Sequence, residues 1–424
     1  MVYSTHTRTY QSTYKKLLRY VLSGSILSAS APLLADRVDE LETQIKKMDT
    51  ENKLLIKELK QDNKKSAKRI SSLKNQVEQS NERLRINGFM SAYATRAQKD
   101  VDLQGLGIDD SWSFRPDTMG AIQMDYKLSD RSTVIMQYTA QGGNDYNLNM
   151  AWGYIAYKLT DDFLFRVGRR QSSLYYHSET LDVGFSYPWV RPPVALYVPG
   201  ISTVEGVGIS YTTQFGDWVI VPEMTYGSAD FPNRFRAISA RNGGSASVSF
   251  NNGPLTFRGS YTTAPKVTVE GVAGIFTTEY FTTALVYEDD RWLFFNELSK
   301  NSSTGYQMDR LDLLSTLGYK IEKWTPYIAY THSYSPKRSD DRLRSLLPPG
   351  VTQMRWDMKS YELGVRYDLT PRIALKAQVD KYDDFDGTGG LFEVTTDAGL
   401  LDTAALEELG DSNMIWSIGA DVIF

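Results

Sequence analysis

From Ile86 to Phe424 the chain consists of segments in which apolar and polar residues alternate, and this pattern limits the possible folds more than any other feature. Between Ile122 and Leu128, for example, apolar side chains occupy the even positions, whereas polar side chains such as Asp125 occupy the odd positions. Successive side chains of a β-strand point to opposite faces. Each segment therefore has one face suited to hydrocarbon and one suited to water.

Turn signals divide this region into segments of about ten residues, a length typical of transmembrane β-strands. Seven short connections lie at 129–131, 160–162, 216–217, 251–253, 289–290, 322–323 and 370–371. Eight longer or Gly-, Asn- or Pro-rich connections lie near Gln98, Gly143, Leu181, Asn233, Val269, Ser303, Leu346 and Ala398. These fifteen connections join sixteen strands, and barrels of that size leave an aqueous lumen. We predict an all-β fold over 85–424, a 16-stranded antiparallel transmembrane β-barrel with short periplasmic turns.

The last segment of the chain carries the most specific barrel signal. One face holds Trp416, Ile418, Ala420, Val422 and the terminal Phe424, and the other holds Ser417, Gly419 and Asp421. A lipid-facing strand that ends in an aromatic residue resembles the assembly signal of outer-membrane barrels. It predicts an interaction of Phe424 with the barrel-assembly machinery.

Composition excludes several other classes of protein. No apolar run reaches the roughly 20 residues that a membrane-spanning helix needs. A mean hydropathy of −0.38 is compatible with a barrel, because its strands alternate in polarity. The net charge of −4 lacks the basic excess of a nucleic-acid-binding protein. The absence of cysteine excludes disulfides and thiolate metal sites, and it suits an oxidising periplasm.

The N-terminal region has the pattern of a secretory signal. Lys15, Lys16 and Arg19 precede an apolar stretch that ends near Ala31. We predict a signal peptide over 1–35 with cleavage after Ala35, and cleavage after Ala31 is the alternative. A buried helix of a soluble protein is the other interpretation of this stretch.

Residues 36–84 change to a heptad pattern. Its seam positions are Val38, Leu41, Ile45, Met48, Asn52, Leu55, Leu59, Ile70, Leu73, Val77 and Leu84, with a stutter through Asn63. Charged residues fill the other positions, so one helix cannot bury this apolar stripe by itself. We predict a periplasmic coiled coil that trimerises the chain, with a solitary charged helix as the alternative.

The order of signal, coiled coil, sixteen strands and terminal Phe424 resembles the porins related to DcaP, a trimeric Gram-negative family with a periplasmic N-terminal coiled coil. The motifs GFM at 88–90, RVGRR at 166–170 and YPWVRPP at 187–193 are similar to segments of porin-like proteins. The resemblance implies an outer-membrane homotrimer, held by coiled coil and barrel walls, that takes up small polar solutes passively. Organic diacids are a known preference of the family.

The connection at 171–200 follows the fifth predicted strand, the place where the third loop of porins folds into the lumen. It is rich in aromatic residues and carries Glu179, Asp182 and Arg191. Aromatic side chains could anchor it to the inner wall while charged groups face the channel. The alternative is an external loop that packs on neighbouring subunits.

Strand alternation also predicts which charged side chains point into the lumen. The inward cations are Arg166, Arg170, Arg258, Arg366 and Lys376, and the inward carboxylates include Asp125, Glu223 and Glu362. Guanidinium groups favour carboxylate and phosphate ligands, so we predict a mild preference for anions at the constriction. The alternative is that these cations pair with lumen carboxylates.

Two further function classes compete with a porin. An outer-membrane enzyme needs a nucleophile, a base and an orienting group, and no spacing around His6, His177 or His332 supplies them. His177 and Glu179 offer too few ligands for a metal, and no cofactor is expected. An envelope tether is the stronger alternative, since the basic residues of the helix could contact peptidoglycan in place of solvent.

Deletion of residues 36–84 separates the porin from the tether. We expect the shortened protein to conduct ions in planar bilayers, because the barrel alone forms the pore. An intact envelope phenotype in cells that carry the deletion would argue against the tether, and loss of all conductance would contradict an autonomous barrel.

Overall fold

A computed structural model of the chain describes residues 31–103, 106–197, 203–232, 237–271, 273–304, 309–336, 357–386, 388–392, 394 and 402–424. Most of the predicted signal peptide, residues 1–30, lies outside this description. Helix α1 spans Ala31–Arg83. Its seam side chains Leu41, Ile45 and Met48 are more than half exposed within the single chain. A helix is present in the predicted region, but it begins at Ala31, inside the predicted signal peptide, and Leu84 of the predicted seam belongs to a strand. Its pairing into a coiled coil stays a prediction.

Strands make up most of the remaining chain. Their bounds are β1 Leu84–Ala97, β2 Met119–Lys127, β3 Ser132–Gln141, β4 Leu148–Lys158, β5 Phe163–Gln171, β6 Thr203–Tyr211, β7 Thr213–Phe215, β8 Trp218–Pro232, β9 Ala237–Asn252, β10 Leu255–Val269, β11 Phe276–Glu288, β12 Trp292–Ser303, β13 Arg310–Tyr319, β14 Trp324–Tyr334, β15 Met358–Thr370, β16 Ile373–Asp383 and β17 Ser412–Ile423. Two short helices lie between strands, α2 at Val194–Tyr197 and α3 at Thr403–Leu409.

The strands form one closed antiparallel barrel. Each strand pairs with its neighbours in the sequence, and β1 pairs with β17 to close the ring. Strands β6 and β7 both pair with β8 and are separated only at Thr212, so they form a single barrel strand. The predicted number of sixteen is therefore confirmed. All fifteen connections fall where the sequence predicts them, although the one near Asn233 is short because β8 and β9 extend to Pro232 and Ala237.

The alternating polarity corresponds to the two surfaces of the barrel. Apolar side chains on the outer face, such as Met224, Leu363 and Ile418, are more than half exposed. Hydroxyl groups on the inner face pair across neighbouring strands, as between Thr225 and Ser245, whose oxygens lie 2.5 Å apart. No helix in the described part of the chain has both the length and the apolar character needed to cross a membrane.

Two of the long connections, those between β1 and β2 and between β16 and β17, meet in an apolar cluster at their end of the barrel. Val101 and Leu103 from the β1–β2 connection pack with Phe385 and Phe392 from the β16–β17 connection. Leu409, at the end of α3, is also fully buried in this cluster. The cluster holds these connections against the barrel.

The β1–β17 junction depends on a close approach between Gly88 and Phe424. Each residue donates its main-chain N–H to the other's carbonyl oxygen, with N···O distances of 2.8 and 2.9 Å. The Phe424 ring lies over Gly88, where an added Cβ would overlap ring carbons and come within 2.9 Å of the Ala121 carbonyl oxygen. A side chain at position 88 would therefore displace the ring.

The substitution Gly88→Val tests this junction. We expect it to lower the free energy of unfolding by about 1–3 kcal/mol, the usual range for overpacking. Heat-modifiable migration of the folded barrel in gel electrophoresis, measured against temperature, reports the loss. Gly259→Val is the matched control, because a Cβ at Gly259 meets no atom within 4 Å. Equal stability of the two variants would contradict the role of the Phe424 ring.

Candidate pore constriction

The connection between β5 and β6, here called loop L3 (residues 172–202, described through 197), lies against the inner wall of the barrel. Its apolar residues are buried, with Trp189 and Leu196 at most 1% exposed. They pack on inward-facing residues of β11–β14: Tyr280, Val286, Phe295, Leu314, Tyr327 and Ala329. The loop therefore occupies part of the lumen, as predicted for the third loop.

Hydrogen bonds from the wall satisfy several of the polar groups that L3 buries. The Trp189 indole N–H donates to Thr316 Oγ1 at 3.1 Å, and the Val190 N–H donates to Gln378 Oε1 at 2.7 Å. Glu297 accepts from the Tyr176 N–H at 2.8 Å and from the Tyr197 hydroxyl at 2.5 Å. Buried main-chain groups need such partners because they have lost their contact with water.

Arg191 is the principal ionic anchor of the loop. Its guanidinium contacts Asp117 at 2.8 Å and Asp380 at 2.7 Å, and it donates to Ser417 Oγ at 2.5 Å. The side chain is only 7% exposed. Burial alone would raise the pKa of Asp117, but the adjacent Arg191 guanidinium outweighs it, and the pKa lies below its ordinary value. Arg191 therefore points to the wall and joins L3 to three separate parts of the barrel.

Lys376 forms a second anchor. Its Nζ donates to the carbonyl oxygens of Gly184 and Trp189, both at 2.7 Å, and contacts Asp421 at 2.7 Å. Asp421 also accepts from the Tyr93 hydroxyl at 2.6 Å. Lys376 points inward, as predicted, but it is covered by L3.

Arg366 forms the third anchor. It donates to the carbonyl oxygens of Phe185 at 2.6 Å and Tyr187 at 3.2 Å, and it pairs with Asp368 at 2.8 Å. Its guanidinium carbon also lies 4.5 Å from the centre of the Phe185 ring. Like Arg191 and Lys376, this predicted lumen cation holds the loop in place.

The other three predicted cations form a separate group on β5 and β10, here called the arginine band (Arg166, Arg170 and Arg258). Arg170 makes a close ion pair with Glu223, which also lies 3.5 Å from Arg166. Arg170 further reaches Glu179 of L3 at 3.5 Å. The band therefore connects the wall to a carboxylate on the loop.

Arg258 differs from the other two arginines in its partners. It donates to the Ser173 carbonyl oxygen at 2.9 Å and to Ser249 Oγ at 3.0 Å, neither of which carries a charge. Arg166, Arg170 and Arg258 thus meet two close carboxylates, Glu179 and Glu223. A third carboxylate, Asp125, lies further round the wall on β2 and accepts from Gln123 at 2.9 Å.

Asp182 and Glu179 are the two carboxylates of L3. The Glu179 side chain is 62% exposed, and Asp182 is half-buried. Burial raises the pKa of Asp182 to about 6. The charge of L3 therefore changes between neutral and mildly acidic pH.

His177 is buried and enclosed by aromatic side chains. Its ring is within 6.1 Å of the ring centres of five neighbours, Tyr176, Tyr187, Trp189, Tyr197 and Phe295. Burial lowers its pKa to about 4, so the imidazole is neutral. Glu179 is directed to Arg170, so the two do not form a metal site. The described residues contain no group of three or more potential metal ligands.

Most of the residues that hold L3 do not stand out in the sequence. Glu297, Gln378 and Asp117 carry no motif, although the first two lie at inward positions of their strands. Asp421 falls on the inward face of the last strand, but the sequence gives it no partner. Strand alternation places three of these four residues, Glu297, Gln378 and Asp421, on the inner face, but it cannot place Asp117, which lies in a connection.

No protein-family model matches the chain, and no curated protein matches its sequence. Its fold does match solved structures. Salmonella typhi OmpF in complex with daunomycin aligns with a TM-score of 0.54 and 10% identity, over 80% of this chain and 97% of that one. The anion-selective porin of Comamonas acidovorans aligns with a TM-score of 0.53 and 12% identity, over 80% and 99%. The chain has the fold of an outer-membrane porin.

The outer membrane channel DcaP of Acinetobacter baumannii is also similar, with a TM-score of 0.49 and 13% identity over 80% of this chain and 97% of DcaP. The apolar outer face of the barrel fits contact with membrane hydrocarbon, as the predicted transmembrane barrel requires. Its long loops, its closed ring and the position of L3 are those expected of this architecture.

The substitution Arg191→Met tests the anchoring of L3. It leaves Asp117 and Asp380 buried without their cation, so we expect a loss of about 3–5 kcal/mol in the free energy of unfolding. Denaturant titration of the detergent-solubilised barrel measures it. The triple variant Arg191→Met, Asp117→Asn, Asp380→Asn should recover most of that loss, and Arg131→Met in an exposed turn is the control. A triple variant as unstable as the single one would show that buried charge is not the cause.

Proposed function

We propose that the protein is a passive outer-membrane porin for small hydrophilic solutes. The observation that carries this proposal is the fixed position of L3 inside a closed sixteen-stranded barrel, beside the charged groups of the arginine band. A loop that narrows a polar lumen selects solutes by size and charge and needs no energy source or cofactor. The alternative of an external L3 is not supported, because its apolar residues contact the inner wall.

We also propose a mild preference for anionic solutes, including organic acids. Within ion-pair distance, the three guanidinium groups of the arginine band meet two carboxylates, and Arg258 is the one without an ion-pair partner. Its hydrogen-bond partners are neutral. Guanidinium groups bind carboxylates in a two-pronged geometry. One similar structure is described as an anion-selective porin.

The assembly that supports this function would be a homotrimer. The exposed heptad seam of α1 needs partner helices, and the resemblance to the DcaP-related porins implies three chains. We propose residues 1–35 as the signal peptide, 36–84 as a periplasmic coiled coil and 85–424 as the barrel. Contacts of the coiled coil with peptidoglycan, and of Phe424 with the barrel-assembly machinery, belong to the same proposal.

We propose no catalytic step. His177 is enclosed by aromatic rings, and its Nδ1 lies 3.0 Å from Thr180 Oγ1, with no carboxylate to orient it. His332 lies on β14 beside the ring of Tyr334. Neither of these two histidines, which both lie in the described part of the chain, is hydrogen-bonded to a carboxylate that could orient it for an activated nucleophile.

The reversal potential in a salt gradient tests the preference for anions. We expect Arg258→Gln to lower the ratio of anion to cation permeability by about twofold, since it removes the positive charge of the band that has no ion-pair partner. Arg131→Gln, in a short turn far from L3, should leave the ratio unchanged. Cation selectivity of the unmodified protein would refute the anion preference but not the pore itself.

The pKa of Asp182 predicts a pH dependence of selectivity. At pH 7.5 its carboxyl is ionised, whereas at pH 5 it is mostly protonated because its pKa is raised to about 6. Acidification therefore removes one negative charge from L3, and we expect the preference for anions to increase. The variant Asp182→Asn should show the higher preference at both pH values. If the selectivity of Asp182→Asn changed with pH as much as that of the unmodified protein, groups other than Asp182 would be responsible for the pH dependence.

A further inference from the structure

A cavity of about 290 Å³ lies between L3 and the wall of strands β11–β15. Its wall residues include Glu288, Lys320 and Asp368, which lie at or just beyond the strand ends that carry the short turns. Short turns are periplasmic in bacterial outer-membrane barrels, so the cavity faces the periplasmic half of the lumen. None of its lining residues belongs to the arginine band.

Aromatic rings form most of the loop side of this cavity. Tyr176, Phe185, Tyr187 and Trp189 of L3 line it, together with Phe295 of the wall. The hydrogen bonds and ion pairs that anchor L3 also hold these rings in place. A ligand of this cavity would therefore meet a preformed aromatic surface and lose little free energy in ordering it.

The charged groups of the cavity are two ion pairs of unequal exposure. Lys320 Nζ lies 2.7 Å from Glu288 Oε1, and the Lys320 side chain is 28% exposed against 53% for Glu288. Arg366 pairs with Asp368, and the corresponding exposures are 14% and 42%. In both pairs the carboxylate is the partner that water, or a ligand, can reach.

The two cations have also used much of their hydrogen-bonding capacity within the protein. Lys320 donates to the Asp289 carbonyl oxygen at 2.9 Å in addition to Glu288. Arg366 donates to two loop carbonyl oxygens and to Asp368. An anionic ligand would have to compete with these bonds, whereas a cationic ligand would extend the existing pairs by contacting the exposed carboxylates.

We propose that this cavity binds organic ammonium ions that carry an aromatic ring. The ammonium group would contact Glu288 and Asp368, and the ring would pack on the aromatic side chains of L3. Ammonium groups are attracted to carboxylates and to the faces of aromatic rings, and apolar rings gain from leaving water. The proposed ligand has the opposite charge to the solutes favoured at the arginine band, so the cavity is a separate site on the periplasmic side of L3.

Ligand-observed NMR titration of the detergent-solubilised, full-length protein tests the proposal with three probes. Phenethylammonium carries both ring and ammonium, 3-phenylpropionate carries the ring with a carboxylate, and ethylammonium lacks the ring. We expect phenethylammonium to bind at least about tenfold more tightly than either of the other two. Equal or tighter binding of 3-phenylpropionate would overturn the charge assignment, and equal binding of ethylammonium would overturn the role of the rings.

The double variant Glu288→Gln, Asp368→Asn locates the site. It should weaken phenethylammonium binding about tenfold, whereas Asp161→Asn, Asp217→Asn, which removes two exposed carboxylates from other short turns, should not. Unchanged binding in the first variant would place the ligand elsewhere. The probe series on the unmodified protein tests the ligand class even if the double variant fails to fold. NMR titration measures binding and does not depend on conduction. Its result can therefore be interpreted even if the proposed pore function is wrong.

Discussion

The fold depends on the requirement that every strand hydrogen bond be satisfied while one face of the sheet contacts hydrocarbon. A lipid-exposed sheet edge would leave main-chain groups without partners, so the sheet must close on itself. Here closure joins β1 to β17, with Gly88 and Phe424 bonded at the junction. Once the ring is closed, the inner face is cut off from lipid, and polar side chains become favourable there. The alternation of apolar and polar residues in the sequence follows from this contact with lipid on the outer face and water on the inner face.

The barrel alone would be a wide polar tube, and L3 narrows it. The loop carries carbonyl groups and an arginine into an enclosed space, where each needs a partner. The wall supplies donors for the carbonyl groups from Arg366 on β15 and Lys376 on β16, and the carboxylate of Asp380 on β16 for the arginine. Glu297 and Gln378 accept from main-chain N–H groups of the loop. L3 thus has an anchored side that faces the wall and a free side that faces the lumen.

The sequence predicted the strands, their connections and the face of each inward residue, because all three follow from local periodicity. It also predicted L3 from the order of the strands. It did not predict how L3 would meet the inward cations. Lys376 and Arg258 have the same pattern and both donate to carbonyl oxygens of L3, yet Lys376 is buried beside Asp421 and Arg258 has only neutral hydrogen-bond partners. Such contacts join residues far apart in the chain, as Arg191 does with Ser417, and no local pattern encodes them.

The partners of Arg191 have a consequence for the order of assembly. They come from the segment before β2 and from β16 and β17, which meet only after the last strand has joined the first. Until that moment L3 has no complete docking surface. The lumen of a partly inserted barrel would therefore be wider than that of the mature barrel, and the narrowing of the lumen by L3 would mark the end of folding.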